Sequence, residues 1–431
     1  MGNETSVLKV YVDESKKKVM FAEAQEDFVE ILLSFFTLPL GKIAKLLTKH
    51  EDSKHTKVGS LSSLYASVDK LLSQHFREAS YKDFLIDPKN SSADICSQLK
   101  VNLNRPLATT TTSQRDVFLN KKAKFIITDD LKVIPIVLDT SIALLNSLGV
   151  ENIESLDERN MLFGFDEFSN LLKWSLLRNN PLTTLILGGS NPCSSFFTNY
   201  PLKNRAFIPS DDSDKTLTIK LLVQKSKKKV VCAQVENRFV ELLFSFLTIP
   251  LGTFIHLTKD DSSSPAIINL YESISCLEDG NLLKSEDMKN ILVCPKLSPV
   301  YNRVTNLLPI YEVNTLEGSF LREGPTFIVT DDLEVRTSPS ISAISKFNTP
   351  GDTEILDFSI GEQEALFLLK ASFKSTSALT ECLKAFRKKP KGHVSDFAFI
   401  EDGGTDSEEE DFPSEDENDI DDSFVIVDLD I

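Results

Sequence analysis

One tetrapeptide, TDDL, sets carboxylates side by side twice: Asp129 with Asp130, and Asp331 with Asp332. Adjacent carboxylates can hold a cation or share a proton for acid-base work. Each pair also falls between two short apolar runs, where the chain must reverse. Asp is common in such turns because its side chain bonds the local backbone. The turn is therefore the expectation, and a catalytic pair is the alternative.

Other chemistry is thinly supported. His50 and His55 lie in the polar stretch TKHEDSKHTK, without ligand spacing on a helix face. LILGGSN (Leu185–Asn191) has adjacent glycines after an apolar run but lacks the Gly-Lys-Ser/Thr of a phosphate loop. No Gly-x-Ser-x-Gly elbow occurs. Cys96, Cys193, Cys232, Cys276, Cys294 and Cys382 form no Cys-x-x-Cys pair, so they read as small core residues in a reducing compartment. No cofactor, metal or enzymatic activity is expected.

Binding chemistry concentrates at the two ends. MGNETS fits the N-myristoylation pattern and makes Gly2 a candidate lipid acceptor. One acyl chain holds a membrane only marginally, so membrane contact depends on that modification. At the other end DDSFVIVDLDI closes an acidic run. Phe424, Val425, Ile426, Val427 and Leu429 favour an extended backbone suited to strand addition. Phe424 and Val427, an aromatic and an aliphatic three apart after acids, resemble an autophagy-modifier interacting motif. Ile426, Val427 and Leu429 resemble a SUMO-interacting motif. Both receptors are ubiquitin-like folds with an open sheet edge. An inert terminus, or a strand added to the protein's own sheet, is the plain alternative. Ser407 and Ser414 precede acidic triplets, a setting for acidophilic kinases. RKKPK (Arg387–Lys391) fits a weak nuclear-import pattern or a basic helix end. The expected location is cytoplasmic, with the nucleus as alternative.

The elements that must position these residues occur in duplicate. SKKKVMFAEAQEDFVEILLSFFTLPLG from Ser15 matches SKKKVVCAQVENRFVELLFSFLTIPLG from Ser226 at roughly 16 of 27 positions, so the chain is a tandem duplication. KFIITDDLKV pairs likewise with TFIVTDDLEV. Each unit begins with a hairpin turning at SKKK, which reads as a solvated tip. An amphipathic helix follows, apolar at Phe28, Ile31, Leu32, Phe35 and Phe36 and ended by Pro39 and Gly41. Further helices are expected at KIAKLLTK, Leu61–Phe76, Ser141–Leu148 and Asp166–Leu177, and a second hairpin at TDDL. Strands and helices mix without strict alternation. The fold class is α+β: two homologous repeats of β-hairpin plus helices, then a disordered acidic tail. The boundaries are a polar leader at 1–6, repeat 1 at 7–198, a linker at 199–215, repeat 2 at 216–386 and the tail at 387–431.

These repeated motifs, with SIALLNSLGV and LLKWSLLRNNPLT, resemble the plant family called domain of unknown function 674 across residues 7–386. The resemblance implies a plant protein with tandem repeats and no established activity. Where some members of that family place paired cysteines, this chain reads RPLATTTTSQRD.

Charge narrows the partners. The net charge is −17, but residues 401–431 hold about 15 acids and no base, leaving about 49 acids against 47 bases elsewhere. A nearly neutral body has no field to gather nucleic acid. The sequence therefore points to a non-enzymatic interaction protein. Its expected partner is a ubiquitin-like modifier, of autophagy type or SUMO.

Overall fold

The computed structural model describes residues 5–48, 57–104, 117–120, 123–188, 216–258, 266–297, 307–310, 319–324, 326–337 and 351–386. The chain divides into two compact units, Met1–Arg387 and Lys388–Ile431, and the second lies outside the described residues.

The first unit holds two five-stranded antiparallel sheets of the same topology. In the first half the strands are β1 (Ser6–Asp13), β2 (Lys18–Gln25), β3 (Lys124–Thr128), β4 (Val133–Pro135) and β5 (Asp157–Phe163), ordered β4-β3-β2-β1-β5. In the second they are β6 (Leu217–Gln224), β7 (Lys229–Val235), β8 (Phe327–Thr330), β9 (Val335–Thr337) and β10 (Thr353–Ile360), ordered β10-β6-β7-β8-β9. Even the irregularity repeats: the first hairpin of each half shifts register at Tyr11/Val12 and at Leu222/Val223. The α+β class and its duplicated hairpins are as the sequence implies.

Strand alternation sets the faces. Leu8, Val10 and Val12 point inward and are fully buried. On the outer face Tyr11 stacks on Phe21, and the helix Leu138–Ser147 covers them through Leu144 and Leu145. Inside, the helix Glu26–Ser34 buries Phe28, Ile31 and Leu32, then tightens into a 3-10 turn at Phe35–Thr37. Its counterpart Asn237–Phe246 buries Phe239, Leu243 and Phe246. One cluster of buried side chains runs through both halves, with Phe36 edge-on to Tyr271 at 5.4 Å and Phe76 against Phe244 at 6.3 Å.

Three expectations change. Gly41 does not end the first helix; it lies in the first turn of the next, Leu40–Thr48. The expected helix Leu61–Phe76 stops at Lys70, and a 3-10 turn follows at Ser73–His75. Among the described cysteines Cys96, Cys232 and Cys382 are buried, whereas Cys276 and Cys294 are exposed. No helix among the described residues is long and apolar enough to cross a membrane.

Candidate functional site

The TDDL segments close the β3–β4 and β8–β9 hairpins. Leu131 N donates to Thr128 O at 2.9 Å, and Thr128 N to Lys132 O at 3.0 Å. Leu333 N and Thr330 N repeat those bonds at 2.9 and 3.0 Å. Closing so tight a loop forces Leu131 and Leu333 to positive φ, +63° and +61°. A left-handed leucine is strained by roughly 1–2 kcal/mol. Both side chains are fully buried, which offsets that cost.

The first Asp of each pair faces inward and is 6–7 % exposed. Asp129 accepts from Thr183 N at 2.8 Å and from Thr183 Oγ1 at 2.7 Å. Asp331 accepts from Thr380 N at 2.8 Å and Thr380 Oγ1 at 2.9 Å. Each threonine is the third residue of a helix, Pro181–Leu187 or Ala378–Phe386. The carboxylate therefore satisfies an orphan N–H at a helix N-terminus, where the dipole favours negative charge. The same hydroxyls accept from Val19 N and Val230 N at 2.9 Å, tying the SKKK hairpin to the junction. Lys229 Nζ stands 3.7 Å from Asp331. Burial pushes both carboxyls above the usual Asp range, partly countered by the threonine bonds.

The second Asp reaches into the opposite half. Asp332 accepts from Ser63 Oγ at 2.7 Å, and from Thr330 Oγ1 of its own turn at 2.6 Å. Asp130 accepts from Asn269 Nδ2 at 3.0 Å and from Thr128 Oγ1. Burial alone would raise Asp332, but the Thr330 and Ser63 hydroxyls hold it below the ordinary value. The four carboxylates thus join a turn, a helix end and the neighbouring repeat. Their oxygens are engaged by hydroxyl, amide and backbone donors, the arrangement of a structural junction rather than of an open acid-base pair.

Two further buried carboxylates escape the sequence reading. Glu30, 4 % exposed, accepts from the backbone N–H groups of Val117, Phe118 (2.7 Å) and Leu119 (3.0 Å). Glu241, 2 % exposed, accepts from Ser319 Oγ at 2.6 Å, Phe320 N at 3.0 Å and Leu321 N at 2.7 Å. Each pins a distant segment to the central helix. The signal was a glutamate amid apolar residues in both copies, FVEIL and FVELL.

The remaining candidates separate. Lys16–Lys18 and Lys227–Lys229 are exposed hairpin tips, with Lys17 and Lys228 at φ +50°. The helix Pro181–Leu187 ends at Gly188 with φ +65°, so the first glycine of LILGGSN is a helix cap. Among the described residues no three His, Cys, Asp or Glu side chains converge as a metal site. Gly2, His50, His55, Ser407, Ser414, Phe424, Val425, Ile426, Val427 and Leu429 lie outside the described residues.

A family model described as "Protein of unknown function (DUF674)" matches residues 2–111, 106–317 and 310–421. Comparison with curated proteins and with solved structures found no match.

Proposed function

The chain belongs to the family described as protein of unknown function (DUF674), and from that premise we propose that it is a non-enzymatic interaction protein, an adaptor or cargo for a ubiquitin-like modifier of autophagy type. The observation that supports the non-enzymatic half is the use of the repeated carboxylates: Asp129 and Asp331 cap helices, and Asp130 and Asp332 bond the opposite repeat. The adaptor half rests on sequence. FVIVDL combines high strand propensity with an acidic approach, which suits addition to a sheet edge beside a basic rim. Phe424 and Val427 would fill two separate pockets while the main chain of Val425 and Ile426 bonds the edge. Phosphate on Ser407 or Ser414 would add about −1.5 to −2 charge each and strengthen attraction to such a rim. The reading places the protein in the cytoplasm, at membranes only when Gly2 is myristoylated.

A titration of the Asp419–Ile431 peptide against both modifier classes tests it. The proposal expects micromolar binding to the autophagy modifier, lost with Phe424→Ala and kept with Leu429→Ala. The reverse dependence would assign the segment to SUMO through Ile426, Val427 and Leu429. Absence of binding to either would refute the adaptor reading.

A further inference from the structure

We infer that the face joining the two halves is a self-complementary docking surface that also accepts the complementary half of a second copy of this chain, giving a reciprocally exchanged dimer. Several contacts across this face occur in matched pairs. Leu40 N donates to Ile249 O and Leu251 N to Leu38 O, both at 2.9 Å, around the facing pair Pro39 and Pro250. Arg77 N donates to Phe320 O at 2.8 Å, and Lys284 N to Phe118 O at 2.9 Å. Val335 N donates to Ser67 Oγ at 2.8 Å, and Val133 N to Ser273 Oγ at 2.9 Å. Residue i of one half meets j of the other while the equivalent of j meets the equivalent of i, which is the signature of a two-fold interface. Nothing in these bonds requires the halves to share a chain.

Only the covalent connection does. Residues 189–215 join the halves. A covalent link raises the effective concentration of one half for the other, on the order of millimolar where the link is flexible. Dilute chains therefore close on themselves. Chains that fold beside one another at comparable concentration close on each other, as exchange between homologous units generally does.

One charged contact breaks the symmetry and favours the pairing of unlike halves. Lys70 Nζ bonds Glu334 Oε1 across the face at 2.9 Å. The counterpart of Glu334 in the first repeat is Lys132, and the counterpart of Lys70 in the second is Cys276. Two first halves would set Lys70 against Lys132 at both ends and repel, two second halves would set Glu334 against the neutral Cys276, and only unlike halves gain the attraction.

The test uses two full-length copies with different tags, one Lys70→Glu and the other Glu334→Lys. Alone, each opposes like charges in its monomer and in its self-dimer. Together, an exchanged dimer sets the two substituted side chains against each other with opposite charge at one junction. It keeps the native pair of Lys70 and Glu334 at the other. Co-refolding at about 1 mM, at the tether's effective concentration, should give several-fold more mixed dimer by tandem capture and light scattering than either copy gives of its own. Wild-type chain should yield dimer at that concentration and monomer at about 1 μM. Circular dichroism verifies folding of both variants; the Lys70 side chain is 67 % exposed, whereas that of Glu334 is 18 % exposed and also pairs with Arg336. Monomer alone at every concentration would overturn the inference, as would dimers indifferent to the charge pairing.

Discussion

Asp331 and Asp332 are neighbours, yet their surroundings move them in opposite directions. Burial raises Asp331, partly countered by the Thr380 bonds, so ionising it costs more in the folded chain than in the unfolded one. Its contribution is complete below the unfolded value of about 3.9 and is lost as pH rises through the folded value. Asp332 is lowered despite burial, because Thr330 and Ser63 donate to it. Its contribution is present above about 3.9 and is lost as pH falls through the folded value. Urea midpoints between pH 3 and 7 should separate the two. Asp331→Asn should remove part of the loss on the alkaline side of that range, and Asp332→Asn part of the loss on the acid side. Curves that stay parallel to wild type for both variants would contradict this assignment. The turn at TDDL was readable from Asp chemistry and the flanking apolar runs. The partners were not, because Thr380 and Ser63 come from segments far away in sequence, and only tertiary packing brings them to the turn.

Elements were legible where a pattern repeats locally. The first hairpin of each half announces itself by two short strands around SKKK, the second by apolar runs around TDDL, and the helix Phe165–Leu177 by apolar spacing. Strands β5 and β10 were missed. Both lie at the sheet edge beside β1 or β6, where outward residues are exposed and DER or TEILD dilutes the apolar signal. The TLPLG motif was read as a helix stop, which explains Pro39 but not Gly41. Gly41 N donates to Leu247 O at 2.7 Å, and a Cβ on Gly41 would stand 2.9 Å from that same oxygen. The glycine allows two backbones to meet across the repeats, a requirement with no local signature. Gly41→Ala should therefore cost about 1–3 kcal/mol through overpacking against a fixed carbonyl. Equilibrium urea unfolding checks it; an unchanged midpoint would show that the contact yields.

For the molecule as a whole, duplication was plain in the sequence, but whether the copies share a core was not. Two beads and one interlocked body have the same repeats and the same hydrophobic content. The difference lies in Pro39 meeting Pro250, in the second Asp of each turn meeting the other repeat's helix, and in a buried cluster that runs through both halves. Such a body should unfold as one cooperative unit. The single tryptophan, Trp174, lies in a helix of the first half. Asp331 caps a helix wholly within the second half. The decisive measurement is urea unfolding of Asp331→Ala followed by Trp174 fluorescence and by far-UV circular dichroism. The loss of about 1–2 kcal/mol expected for a lost cap should lower both midpoints equally. A Trp174 midpoint unmoved from wild type, beside a lowered dichroism transition, would mean that the repeats fold separately, and the interlocked account would be wrong.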